Sequence, residues 1–279
     1  MKVQVVDYLA EDAPQKFVES LHNTGFGVLI NHPIEQSLVE SIYKNWQGFF
    51  NTPEKQQYVF DPEKQDGFFS SDISEIAKGH AKKDIKEYYH IYPWGKIPPT
   101  LKKEILHYYK VTSALAEELL DWVEQNSPLH IAKNYSEPLS NMIKNTPNTL
   151  LRVLHYPPFE GKEEKGAIRA AAHEDINLLT LLPAANEPGL QVQSTEGEWV
   201  DVPSDFGHLI INIGDMLQEA SGGYFPSTSH RVINPSGSNK SKSRISLPLF
   251  LHPRSEVVIS KKHTQQSYLL ERLRELGLK

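Results

Sequence analysis

The chain contains no cysteine. Disulfide bonds, thiolate-held zinc or iron–sulfur centres and cysteine nucleophiles are therefore excluded. Long apolar runs are missing too. Nothing approaches the roughly 18 consecutive apolar residues of a membrane-spanning helix. The opening Met-Lys-Val-Gln-Val-Val-Asp lacks the apolar stretch and small-residue cleavage site of a secretion signal. There is no excess of positive charge: 29 basic against 35 acidic residues leave a net charge of −6. A general nucleic-acid surface is not expected from that balance, and the lysines in 238–242 read as a solvated turn. No repeat with a period of 20 to 50 residues is visible. The expectation is a cytoplasmic protein that works on a small molecule, with neither nucleic acid nor membrane as partner. The sequence leaves its oligomeric state open.

What is present suits a globular protein with a real core: 279 residues, 39% of them hydrophobic and 23% charged. Val3, Val5 and Val6 suggest a short edge strand. Phe17, Val18 and Leu21 recur at helical spacing, with Asp12 and Pro14 as a start and Gly25 as a stop. Phe26 to Ile30 reads as a strand. Gln36 to Phe50 returns to helical spacing, and Thr52 is a plausible cap for a short helix after Pro53. Asp61 to Pro99, rich in aromatics, suits loops and short strands over a pocket. Leu101 to Gln125 is the longest helix candidate, and Leu129 to Asn145 a weaker one.

From Leu150 onward the pattern changes to short strands: 150–156, 178–182, 190–194, 199–202, 209–213, 230–233 and 244–251. Turns are marked by the Pro157-Pro158 pair, by Gly197 and by Gly214-Asp215. Val257 to Ile259 and a final helix containing Tyr268, Leu269, Leu273 and Leu276 close the chain. Helices first and many strands afterwards predict a mainly β protein with flanking helices: a double-stranded β-helix (jelly-roll) core with N-terminal helices packed around it. The expected organisation is one domain over 1–279, with 1–149 mostly helical, 150–260 the jelly roll and 261–279 a C-terminal helix.

The chemistry centres on Ala167 to Leu182. His173 and Asp175 stand two residues apart, and side chains at i and i+2 of an extended chain share a face. Glu174 points the other way. His230 supplies a third ligand, and the intervening chain is long enough for a jelly roll to return a strand beside the first. Two histidines and one carboxylate cover one face of an octahedral metal and leave three positions open. That suits iron(II) binding a co-substrate and dioxygen together, and zinc takes the same ligand types with fewer positions. Further on, Arg244 and Ser246 repeat the i, i+2 geometry. A guanidinium and a hydroxyl on one side of a strand make a clamp for a carboxylate, with Tyr156 as a third donor.

These residues come with a series of short motifs: Thr24-Gly25-Phe26-Gly27-Val28-Leu29-Ile30-Asn31-His32, Phe49-Phe50-Asn51-Thr52-Pro53-Glu54-Lys55 and Leu151-Arg152-Val153-Leu154-His155-Tyr156-Pro157. His173-Glu174-Asp175, Gly189-Leu190-Gln191-Val192, Asn212-Ile213-Gly214-Asp215-Met216-Leu217, Ser227-Thr228-Ser229-His230-Arg231-Val232 and Arg244-Ile245-Ser246 follow in order. Over nearly its whole length the chain resembles the 2-oxoglutarate and iron(II)-dependent dioxygenases of the isopenicillin N synthase-like family. The resemblance implies that His173, Asp175 and His230 ligate Fe(II). It implies that Arg244 and Ser246, with Tyr156, hold the distal carboxylate of 2-oxoglutarate. O2 would then be consumed, succinate and carbon dioxide released, and a small organic molecule oxidised, in most relatives by hydroxylation. Pro33 replaces a glycine common in the family, and the connection from His230 to Arg244 is longer than usual, with Pro235 to Lys242 read as an extended hairpin.

Two other readings stay open at this level: an iron(II) oxidase of the same fold that does not use 2-oxoglutarate, and a metal- or ligand-binding module without turnover. Candidates for a substrate pocket are Asn177 and Arg169, by parity with the ligands, and Phe68, Tyr88, Tyr89 and Tyr224. His155 is expected to be a packed or supporting histidine. Pocket loops cannot be placed from sequence, so the substrate itself is not named.

Overall fold

The computed structural model describes residues 2–71, 84–159, 163, 167–184, 188–235 and 240–275. Strand β1 (Val5–Asp7) and strand β2 (Phe26–Ile30) pair in parallel across helix α1 (Ala13–Thr24). Gly25 stops α1 in the left-handed region at φ 73°, where its N–H reaches Leu21 O at 2.8 Å. Only glycine adopts that conformation without strain. Helix α2 (Gln36–Phe50) follows, then a 3-10 turn over Pro53–Tyr58. Thr52 does not cap that turn: its hydroxyl donates backward to Phe49 O.

Strands β3 (Gly67–Phe69) and β4 (Glu87–Ile91) precede the long helix α3 (Pro99–Gln125). The single helix expected over 129–145 is instead two one-turn helices, α4 (Leu129–Ala132) and α5 (Leu139–Met142). Each starts after a proline, Pro128 or Pro138, and a proline at 138 cannot continue a helix begun at 129. The strands then run β5 (Leu150–Tyr156), β6 (Ala170–His173), β7 (Leu179–Pro183), β8 (Leu190–Gln193), β9 (Trp199–Asp201) and β10 (Leu209–Ile213). Gly214 is not a turn residue but the cap of helix α6 (Asp215–Ala220). Strands β11 (His230–Val232), β12 (Arg244–Ser246) and β13 (Leu249–Phe250) lead to helix α7 (Gln265–Glu275). The strand expected over 244–251 is interrupted at Leu247-Pro248, since proline has no N–H to give a ladder. The expected hairpin over 235–242 falls partly, and Leu276 wholly, outside the described residues.

Two sheets form. The larger runs β1-β2-β10-β7-β13-β5-β4-β3, with β12 also on β5; the smaller runs β6-β11-β8-β9. This is the double-stranded β-helix core with helices packed outside it. The larger sheet is apolar on both faces, so its strands read as continuous hydrophobic runs rather than alternating ones. On β10, Leu209, Ile211 and Ile213 join the helix-side core with Phe17, Trp46 and Leu119, while Ile210 joins a second cluster between the sheets. On β5, Leu151 and Val153 face the helices, and Leu154 and Tyr156 face inward. The smaller sheet covers only one side: Leu190 and Val192 are buried, whereas Gln191 and Gln193, which alternate with them, are half-exposed.

Trp46 anchors the helix layer. It is fully buried, with Phe49, Phe50 and Tyr89 rings at 5.4, 6.0 and 5.1 Å. Replacing it with alanine removes contacts between α2 and the β4 face together, so Trp46→Ala should cost about 3–5 kcal/mol. Urea unfolding of the variant against the parent chain measures this.

Candidate metal and co-substrate site

Between the two sheets lies a pocket of about 70 Å³, lined by His173, Asp175 and His230 and, on the larger sheet, by Arg244, Ser246 and Tyr156. His173 ends β6 and His230 begins β11, and the two are register partners across the small sheet. Their rings stand 4.4 Å apart. Asp175 lies two residues past the end of β6, and the chain bends after it, over 176–178. One donor atom from each of the three falls within 4.8 Å of the others, and Asp175 Oδ1 is 3.8 Å from Nε2 of both histidines.

The remaining atoms of the three side chains are committed elsewhere. His173 Nδ1 lies 2.8 Å from Ala171 O and His230 Nδ1 3.2 Å from Thr228 O. Those contacts place the proton on Nδ1 and leave each Nε2 lone pair facing the centre. Asp175 Oδ2 accepts from Thr180 Oγ1 at 2.6 Å and from Asn212 Nδ2 at 2.8 Å, which leaves Oδ1 for a metal. Asn177 Nδ2 in turn donates to Thr180 Oγ1 at 2.9 Å. Burial, with His230 beside it, pushes the His173 imidazole down to about 4, so the ring is uncharged in the neutral range, as a metal ligand has to be. Burial alone would raise the Asp175 carboxyl. His230, His173, Asn212 and Thr180 outweigh it and hold the group below the usual carboxylate range. Two bare imidazole nitrogens and one carboxylate oxygen, on a common face, fit a divalent metal that keeps open positions.

Helix α6 holds the loop behind the carboxylate. Its first N–H groups, which have no partner within the helix, donate to that loop: Gly214 N to Leu178 O at 3.0 Å, Asp215 N to Asp175 O at 2.8 Å and Met216 N to Asn177 O at 2.9 Å. The fit is so close that a Cβ on Gly214 would overlap the Asn177 side chain and carbonyl.

On the facing strands, Arg244 pairs with Tyr156 and Ser246 with Leu154 in register. Arg244 is 3% exposed, donates from Nη1 to Ser246 Oγ at 2.6 Å, and lies 5.3 Å from the Tyr156 ring. A buried guanidinium and a hydroxyl thus point together into the pocket that holds the triad.

Residues 147–253 match the family model described as the 2OG-Fe(II) oxygenase superfamily, and residues 6–125 the model described as non-haem dioxygenase in morphine synthesis N-terminal. A crystal structure of a Shewanella oneidensis protein, named only provisionally as an oxygenase, is 61% identical with a TM-score of 0.91, and the match covers 100% of both chains. The chain belongs to the 2OG-Fe(II) oxygenase superfamily. It is similar to feruloyl CoA ortho-hydroxylase 2 of Arabidopsis thaliana, at 29% identity over 92% of this chain and 71% of that one. It is also similar to the 2-oxoglutarate-dependent dioxygenase citB of Monascus ruber, at 28% identity over 83% and 79%. The protein is accordingly an iron(II)- and 2-oxoglutarate-dependent dioxygenase that uses O2.

Several sequence candidates for this oxygenase's substrate pocket lie elsewhere. Phe68 and Tyr89 face α2 in the helix-side core, because strand alternation turns them away from the pocket. Tyr224 stacks on His22 at 4.0 Å, at the end of α1. Arg169 is 1% exposed and donates to Lys242 O, with its guanidinium 5.9 Å from Tyr156 and outside the pocket wall. Tyr88 lies behind Arg152 rather than in the lining. Asn177 is fully buried and supports Thr180. His155 packs on Phe50 at 5.1 Å and pairs with Glu87 at 2.8 Å.

Sequence reasoning missed four residues here: Thr180 and Asn212, which position Asp175, and Lys86 and Arg152, which line the pocket. Arg152 was recoverable, since it shares the parity of Tyr156 on β5.

The oxygenase with Thr180→Val, which leaves Asp175 Oδ2 one hydrogen bond short, should bind iron(II) about 10- to 100-fold more weakly, while Thr180→Ser restores most of the affinity. Equilibrium dialysis under nitrogen measures both. Gly214→Ala should destabilise the chain by about 1–3 kcal/mol through overpacking, and a denaturant titration checks it.

Proposed function

We propose that His173, Asp175 and His230 hold the oxygenase's iron(II), and that Arg244 and Ser246, with Tyr156, receive the distal carboxylate of 2-oxoglutarate. The observation that carries this is the division of labour within Asp175. One carboxylate oxygen is tied off by Thr180 and Asn212, and the other stands 3.8 Å from two bare imidazole nitrogens. The substrate is a small organic molecule, and its oxidation is a hydroxylation. Residues 1–279 act as one catalytic unit.

When bound, iron(II) supplies open coordination positions for a 2-oxo acid and dioxygen. The chain's own residues do the rest. The Nδ1–H contacts to Ala171 and Thr228 fix both rings, so metal binding needs no reorientation. Arg244 is held at Ser246, so its fork meets a carboxylate already oriented, and the pairing is charge-assisted. Ser246 Oγ accepts from Arg244 and keeps its own proton to donate. Apolar walls at Phe26, Leu154, Leu182, Leu190 and Val232 exclude water around these charges.

His173→Ala and Asp175→Ala should each abolish iron binding and turnover. Arg244→Ala should leave iron binding in place and weaken 2-oxoglutarate by roughly 2 to 5 kcal/mol, the cost of breaking a buried charged pair. The charge-transfer band of the anaerobic iron(II)–2-oxoglutarate complex reads both. An Arg244→Ala titration that overlays the parent curve would disprove the clamp, and an absent band in the parent would disprove the site.

A further inference from the structure

We propose that His252 selects the substrate by donating a hydrogen bond from Nε2 to a carbonyl oxygen on it; this rests on the iron and 2-oxoglutarate assignment above. Strand β13 stops at Phe250, but the chain stays paired with β7 one residue further. Leu251 N donates to Leu179 O and Leu178 N to Leu251 O, both at 3.0 Å. Leu249 and Leu251 belong to the helix-side core, while Phe250 between them lines the pocket. Alternation therefore puts His252 on the Phe250 side, about 7 Å further along the wall. That is where the chain runs from Asp175 into β7. The ring feels the charges of Asp175 and Arg152, both residues of the pocket lining.

The carboxylate clamp is at the other end of the same sheet. Arg244 stands opposite Tyr156, the last residue of β5, and Phe250 opposite Leu150, the first. The length of β5, about 20 Å, separates them. A co-substrate seated at Arg244 leaves the His252 end for the second molecule.

The ring is set up as a donor. His252 is half-buried, and its Nδ1 is enclosed with no hydrogen-bond partner among the described residues. Nε2 is not among the enclosed atoms. Burial pushes the imidazole down to about 4; Asp175 pulls the other way, and Arg152 adds to the fall. The ring is therefore uncharged in the neutral range and has one proton to place. An enclosed N–H without an acceptor is the costlier arrangement, so Nδ1 stays bare and the proton sits on Nε2. The open edge of the ring thus offers one donor and no acceptor. A carbonyl oxygen matches it, since it accepts and brings no proton of its own. A hydroxyl would bring a second donor, and the Phe250 side chain next along the wall has no oxygen or nitrogen to receive it.

The test uses the full chain loaded with iron(II) and 2-oxoglutarate under nitrogen. The probes are cyclohexanone and acetophenone, each titrated against the alkene in which C=CH2 replaces C=O, with perturbation of the charge-transfer band reporting binding. His252→Phe should weaken the ketones about tenfold and leave the alkenes within about twofold. His252→Gln, whose amide N–H reaches the place of Nε2, should keep most of the ketone affinity, and His252→Asn, whose amide sits at the place of Nδ1, should not. In the metal-free chain the ring-nitrogen NMR shifts of His252, identified by their loss in His252→Gln, should show the proton on Nε2. Ketones that do not bind the parent chain overturn the proposal, as does a His252→Phe variant that weakens ketone and alkene alike or neither. If His252→Phe does not fold, equal ketone affinity in the Gln and Asn variants overturns it, and so does a proton found on Nδ1. A parent chain that gives no band overturns the site reading beneath it, which separates that failure from this one.

Discussion

The arrangement of the site depends on one buried carboxylate being unable to rotate. Asp175 has two oxygens, and the structure assigns them different partners. Thr180 and Asn212 hold Oδ2, while Oδ1 faces the two imidazoles. The supports come from β7 and β10, adjacent strands of the larger sheet, whereas His173 and His230 stand on the smaller one. The three donor atoms and their supports therefore come together only when both sheets close on each other. Helix α6 holds the same loop from behind through its first three N–H groups.

That closure also explains the two cores. A sheet lined by helices on one face and by a second sheet on the other must be apolar on both. Ile210 and Ile211 are neighbours in sequence and lie in different clusters for that reason. The polar exceptions on the inner face gather at the pocket. Asn212 on β10, Thr180 on β7, Arg152 and Tyr156 on β5, and Arg244 and Ser246 on β12 interrupt otherwise hydrophobic strands. A buried polar group is tolerated when it is hydrogen-bonded or paired, and Thr180, Asn212 and Arg244 each meet that condition within the site.

Much of this was legible in the residues. His173, Asp175 and His230 were found by spacing and residue type, and the structure brings their donor atoms together. Strand β6 ends at His173, yet Asp175 still shares a side with it, its Oδ1 lying 3.8 Å from His173 Nε2. The chain bends only after Asp175, over 176–178, which takes Asn177 off the pocket lining and makes it a support for Thr180. Aromatic candidates fared worse. Phe68 and Tyr88 are separated by one strand pairing and face opposite sides of the larger sheet, and nothing in an aromatic-rich segment tells which side is the pocket. Prolines were more decisive: Pro138 and Pro248 each broke an element that periodicity alone had made continuous.

The sequence by itself determined the order of helices first and strands afterwards, and the candidates for the metal ligands and the carboxylate clamp. Those depend on residue identity and on short-range periodicity, which the chain carries locally. Tertiary structure decided which atom of each ligand is available, which residues hold it, and where Arg152 stands relative to Arg244. Those depend on strand register between segments far apart in the chain, such as β5 with β12 and β6 with β11, and a shift of one residue in register would turn every one of these side chains to the other face.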